Sequence, residues 1–168
     1  MRVLGIDCGT EYTGYGVVEQ NTAGRLEFVA AGAIHLSRKE SMPSRLATVF
    51  SELSKLILTN SPQMVAIEEV FYSVNAKSAL KLGQVRGVAM LAAASAGLEV
   101  AEYAPLSIKS AVVGYGKAEK IQVQHMVAHL LRLPEPPRPA DAADALAIAI
   151  CHLHTHATLK RYEVGARG

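Results

Sequence analysis

The segment RVLGIDCGTEYTGYGVVEQ, residues 2–20, sets the reading of the whole chain. Residues 2–7 alternate and end in Asp7, Cys8-Gly9-Thr10 is turn material, and residues 14–20 form a second extended run around Gly16-Val17-Val18. A second turn at Asn21-Thr22-Ala23-Gly24 leads into a third run over residues 26–35, so an antiparallel three-stranded meander is expected. Downstream, Leu46, Val49, Phe50, Leu53, Leu56 and Ile57 keep helical spacing from Pro43 to just before Asn60-Ser61-Pro62. Met64 to Ile67 reads as a buried strand. Asn75 is placed to cap a long helix ending at Gly97, and Val100 to Tyr103 as a short strand. Residues 105–133 read as two helical pieces around Gly114-Tyr115-Gly116, Pro134 to Pro139 as a rigid loop, and Ala140 to His154 as a last helix. This order implies an α/β domain with a mixed five-stranded sheet flanked by helices.

Composition narrows the function classes. The chain has 168 residues, half of them hydrophobic, without Trp, which fits one domain with its own core. No apolar run approaches the ~20 residues of a membrane helix, and Asp7 interrupts the start too early for a signal peptide, so no membrane association and a cytoplasmic location are expected. Cys8 and Cys151 form neither a disulfide framework nor a zinc spacing and read as small buried residues. His152 and His156 are four apart on a helix, but no acidic or thiol partner accompanies them, which argues against a metal site there. A net charge of +2 means that any nucleic-acid affinity must come from a local patch.

Acids fall where such a sheet places chemistry, at strand ends and helix starts. Asp7 ends the first strand, Glu68 the fourth, and Asp141 and Asp144 share a face of the last helix through their spacing of three. For the helical pair alone, capping and the helix dipole are an adequate explanation. Four carboxylates in apolar surroundings would repel one another unless cations lay between them. Oxygen-only ligands point to magnesium or manganese, and a pair of such ions suits phosphodiester hydrolysis. Successive strand side chains point to opposite faces, so Glu68 and Glu69 cannot both serve one cluster. Glu68 follows Ala66 and Asp7 follows Gly5 on their faces, small residues expected to leave room above the sheet for ions and a phosphate; Glu69 follows bulky Ile67.

A set of ordered motifs resembles the RuvC-type Holliday junction resolvases. It comprises Gly5-Ile6-Asp7-Cys8-Gly9-Thr10 with Thr13-Gly14-Tyr15-Gly16, then Ile67-Glu68-Glu69-Val70-Phe71, then Ser78-Ala79-Leu80-Lys81-Leu82-Gly83-Gln84 with Arg86-Gly87. Lys109, Gly114, Gly116, Glu119-Lys120, Gln122-Val123-Gln124-His125-Met126 and Asp141-Ala142-Ala143-Asp144-Ala145 complete it, and the match runs to about residue 154. The resemblance implies an RNase H-like fold, a homodimer, and paired magnesium-dependent nicks in two strands of like polarity across a four-way DNA junction. From His156 onward the sequence lacks periodicity, so a nuclease domain over residues 1–156 with residues 157–168 as a flexible tail is expected; the resemblance also implies work beside the branch-migration proteins RuvA and RuvB. By position, Asp7, Glu68, Asp141 and Asp144 would hold two magnesium ions, with manganese able to substitute. Lys109 and Lys120 would contact phosphate near the scissile bond, and Phe71 would press on bases at the crossover. Glu69 and Lys117 depart from the pattern of many relatives, which bears on the preferred cleavage sequence.

Lys77, Lys81 and Arg86 on the long helix, with Lys109, Lys117 and Lys120 around the Gly-rich loop, are expected to line a groove for DNA backbone. Gly83 and Gly87, followed by a run of alanines, mark that helix as a contact surface, either against its own sheet or across a two-fold axis. Asp7-Cys8-Gly9-Thr10 also resembles the phosphate loop of the sugar kinase, actin and chaperone ATPase superfamily. Those proteins clamp ATP between two such domains, and the chain has neither the length nor a second loop of that kind.

Overall fold

The computed structural model describes residues 1–69 and 75–165. Five strands, β1 (Arg2–Asp7), β2 (Tyr12–Gln20), β3 (Leu26–His35), β4 (Met64–Glu68) and β5 (Val100–Tyr103), form one sheet in the order β3-β2-β1-β4-β5. β1 runs antiparallel to β2 and parallel to β4, so the antiparallel meander passes into a parallel half at β1. The helices are α1 (Met42–Asn60), α2 (Ala76–Ser95), α3 (Pro105–Val113), α4 (Lys120–Leu131) and α5 (Ala140–Gly165).

Alternation along the strands divides the core between two faces. Leu4, Ile6, Val65 and Ile67 pack with Val49 and Leu53 of α1 and Val85 and Ala89 of α2. Val3, Val18 and Ala66 face the other way, toward α3, α4 and α5. Helix starts follow the local chemistry: Asn75 Oδ1 accepts from the Lys77 and Ser78 N–H groups at 3.0 and 3.3 Å, as its capping assignment requires. Gly114, at φ 95°, closes α3 in a left-handed turn that a residue with a Cβ rarely adopts.

The tightest contact is between the sheet and α5. Gly5 and Gly16 are cross-strand partners, and Asp7 pairs with Gly14. A Cβ at Gly5 would overlap the Ala145 carbonyl oxygen and approach the Ala149 nitrogen to 2.7 Å; at Gly16 it would lie 2.6 Å from the Leu146 nitrogen. At Gly14 it would strike the Asp141 carbonyl. These glycines are needed for space. They form a trough in which α5, with Ala142, Ala143, Ala145 and Ala149 fully buried, lies backbone against backbone. The room beside Gly5 that the sequence suggested for ions and phosphate is therefore filled by a helix.

A second difference concerns the C-terminus. Helix α5 was expected to stop at His154 and give way to a flexible tail from residue 157, yet it continues to Gly165. No Gly or Pro interrupts residues 140–164. The hydroxyls of Thr155 and Thr158 donate to the Cys151 and His154 carbonyls one turn back, at 2.8 and 2.9 Å, so these polar residues sit within the helix without leaving its hydrogen-bond pattern.

The trough gives a direct test. Gly5→Ala and Gly16→Ala should each lower stability in urea unfolding by about 3 kcal/mol, through overpacking. The double variant should lose less than the sum, because one displacement of α5 relieves both collisions. Additive losses would mean that the two positions meet the helix independently.

Candidate active site

Three elements deliver the four acids. β1 and β4 run side by side in parallel with Ile6 opposite Ile67, so Asp7 and Glu68 emerge at neighbouring strand ends. β4 includes Glu68, which makes the alternation valid there: Glu68 shares the face of Ala66, which packs on the α5 side. Seated in its trough, α5 brings the first-turn Asp141 above Gly14 and carries Asp144 one turn further along.

Asp7, Glu68 and Asp144 line one cavity of about 340 Å³, with Lys109 of α3 and Lys120 of α4 in its wall. Ile108, Val123 and Ile148 supply apolar lining. Asp141 is not part of that lining, but its charge acts on Asp7, Asp144 and Lys120. Burial, followed by repulsion from Asp144, Glu68 and Asp141, pushes the Asp7 carboxyl up to about 7. Burial and Asp144 also raise Glu68, against the opposing pull of Lys109 and Lys120. Asp144 is raised by burial, and the Lys120 ammonium offsets part of the rise by donating to its Oδ2 at 2.5 Å. That bond holds the Lys120 pKa above the ordinary lysine value.

This donor set fits a hard divalent cation: oxygen ligands, mutual repulsion that a cation would relieve, and one acid near neutrality. Among the described residues no three acidic, histidine or cysteine groups already converge as a cation cage. Protonation of Asp7 and the Lys120–Asp144 pair answer the repulsion in the chain as it stands.

The other expected residues separate. Lys77 and Lys81 are exposed at the start of α2, and Lys117 is exposed in the loop between α3 and α4, outside the cavity. Phe71 lies outside the described residues. Arg86 is not a free groove cation: its guanidinium pairs with Glu102, and its Nε donates to the Glu68 carbonyl at 3.3 Å. The sequence has no local sign of this, since Glu102 lies 16 positions away. The Glu69 N–H extends the ladder to the Tyr103 carbonyl at 2.9 Å, and its carboxylate is absent from the cavity lining. His152 is buried with Nδ1 bonded to the Tyr103 hydroxyl at 3.0 Å, a core role. Burial pushes the Cys8 thiol up to about 12 and the Cys151 thiol to about 11, which removes both as nucleophiles.

The model of the family described as crossover junction endodeoxyribonuclease RuvC matches residues 3–152. The crossover junction endodeoxyribonuclease RuvC of Koribacter versatilis is 65% identical over 166 residues, covering 99% of this chain and all of that one. The solved structure of Thermus thermophilus RuvC superimposes with a TM-score of 0.86 at 34% identity, covering 94% of this chain and 96% of that one. Thermus thermophilus RuvC in complex with a Holliday junction substrate matches with the same TM-score at 32% identity over the same shares. The fold is accordingly the RNase H-like one that the strand order expressed. Among the described residues no helix is long and apolar enough to cross a membrane.

The raised Asp7 pKa has a measurable sign. The folded chain holds this proton up to about pH 7, whereas an ordinary Asp releases it near 3.8, so the metal-free protein loses stability as pH rises between those values. Asp7→Asn should therefore unfold later than wild type above pH 7 in EDTA, by up to ~4 kcal/mol. The gain should shrink as pH falls and vanish near pH 4, the unshifted Asp range. Urea melts at several pH values check it; a variant less stable throughout would mean that Asp7 is not repelled in the fold.

Proposed function

Because this chain belongs to the RuvC family of crossover junction endodeoxyribonucleases, we propose that it resolves four-way DNA junctions by hydrolysing phosphodiester bonds at the cavity of Asp7, Glu68 and Asp144. The observation that carries this reading is the meeting of three elements' acids, repelling one another, in a cavity walled by two lysines. Asp7, Glu68, Asp141 and Asp144 would hold two magnesium ions, or manganese in their place. Such ions, when bound, supply a water of lowered pKa and stabilise the charge on the leaving oxygen.

The chain's own residues do the rest. Asp7 would have to release its proton to hold a cation, so its affinity for one should rise with pH through about 7. Lys120, which now pairs with Asp144, would be free for a phosphate oxygen if Asp144 held a cation, and Lys109 offers a second ammonium from the adjoining wall. Ile108, Val123 and Ile148 limit water around the reacting group. Exposed Lys77, Lys81 and Lys117 attract backbone without reading sequence.

A homodimer through α2 belongs to the same proposal. Leu80 and Leu91 of α2 are 71% and 56% exposed, and a Cβ at Gly83 or Gly87 meets nothing within 4 Å. These four positions share one helix face. A second copy across a two-fold axis would cover that face and present two cavities to a substrate of matching symmetry, giving paired nicks in strands of like polarity. Association with RuvA and RuvB is supported by the family resemblance alone.

Cleavage and binding of a synthetic four-way junction should separate. Asp7→Asn, Asp141→Asn, Asp144→Asn and Glu68→Gln should each lose cleavage by orders of magnitude while binding the junction within a fewfold of wild type. Glu69→Gln should keep metal-dependent cleavage. An active Glu68→Gln beside an inactive Glu69→Gln would reverse the assignment. For assembly, Gly87→Glu should sediment as a monomer and lose coordinated second-strand cutting; paired cutting by a monomeric preparation would rule out the dimer.

A further inference from the structure

The proposed mechanism gives Arg86 no task, and its surroundings supply one. Arg86 sits midway along α2, on the sheet face opposite α5. From there its guanidinium crosses to the carboxyl end of the parallel strands. Nε donates to the Glu68 backbone carbonyl at 3.3 Å, and a terminal nitrogen forms an ion pair with the Glu102 carboxylate of β5. The Arg86 side chain is only 18% exposed in this position. One side chain thus joins α2, β4 and β5 where the sheet ends.

The anchored backbone belongs to Glu68. The last registered pair between β1 and β4 is Ile6 with Ile67, so Glu68 lies one residue beyond that ladder. On its other side it pairs with Tyr103 of β5, and Glu102, the partner of Arg86, is the preceding residue of that strand. A planar guanidinium can hold both acceptors at once through divergent donors, which a lysine ammonium on a flexible stem does far less well. Small displacements at a metal-binding carboxylate matter, and loss of a group that orients such a ligand typically costs roughly 10–100-fold in metal affinity or activity.

We propose that the Arg86–Glu102 pair is a positioning clamp that fixes the Glu68 backbone, and thereby the aim of its carboxylate, and is not a contact to DNA. This rests on the reading of Glu68 as a metal ligand. The two roles predict opposite behaviour for Glu102. In a clamp, loss of either partner harms the same property. In a DNA-binding patch, removing an acid beside the arginine helps binding or leaves it unchanged.

Arg86→Gln, Glu102→Gln and Glu68→Gln in the full chain separate these cases. Three properties are measured: the magnesium concentration giving half-maximal junction cleavage, the magnesium dependence of thermal stabilisation without DNA, and junction affinity in EDTA at several salt concentrations. Under the clamp, Arg86→Gln and Glu102→Gln each shift both magnesium curves upward about tenfold or more. Junction affinity in EDTA and its salt slope stay at the wild-type values. A DNA contact would instead lower the salt slope of Arg86→Gln by about one and leave Glu102→Gln binding as well as wild type or better, which overturns the clamp. Unshifted magnesium curves in both variants beside an inactive Glu68→Gln also overturn it, and spare the metal centre. Normal cleavage by Glu68→Gln would overturn the reading of the centre itself. Should Arg86→Gln fail to fold, Glu102→Gln decides, because the Glu102 side chain is 42% exposed and the change keeps its shape.

Discussion

The closeness of α5 to the sheet governs the rest of the molecule. Helices usually rest on sheets through a layer of side chains, but here Gly5, Gly14 and Gly16 provide none, and the alanines of α5 add little on their side. The helix backbone is therefore held against the backbones of β1 and β2, where it can neither rotate nor slide without collision. Its first turns project over the ends of those strands, and the acids of three elements share one small volume only because of this depth. A few methyl groups in the trough would lift the helix and with it Asp141 and Asp144.

Within that volume, electrostatics oppose the fold. Placing Asp7, Glu68 and Asp144 together under partial burial is unfavourable, and the raised pKa values of all three record it. The chain relieves the strain with what it has, a proton on Asp7 and the Lys120 ammonium against Asp144. Both are exchangeable, since a proton leaves near neutral pH and a partly exposed lysine can swing away. The site is thus built to accept positive charge while surviving without it, as stability and function pull in different directions at one place.

Much of this was legible in the sequence, for physical reasons. Alternation in residues 2–7 and helical spacing from Leu46 to Ile57 are local signals, and local signals set strand and helix positions. Asp7 and Glu68 stood out only jointly with Asp141 and Asp144, since Asp7 alone reads equally well as a turn residue. What was missed depends on distant partners. Arg86 looks like any helix-borne cation until Glu102 is seen beside it. Gly5 suggested empty space because the helix residues that fill it, Ala145 and Ala149, come far later in the chain. The continuation of α5 past His154 was hidden by threonines and histidines that weaken a periodic pattern, although Thr155 and Thr158 return their hydroxyls to the helix backbone.

The position of α5 also bears on when the chain becomes an enzyme. Asp7 and Glu68 are made well before Asp144, although all three line one cavity. During synthesis the meander, α1 and α2 can emerge and pair, yet the trough between β1 and β2 stays open until α5 is released. A nascent chain therefore carries Lys77 and Lys81 on α2 before Asp144 has joined Asp7 and Glu68 in the cavity. The cavity is closed in a single late step, the docking of α5, so a product that stalls before that helix lacks the wall that carries Asp144.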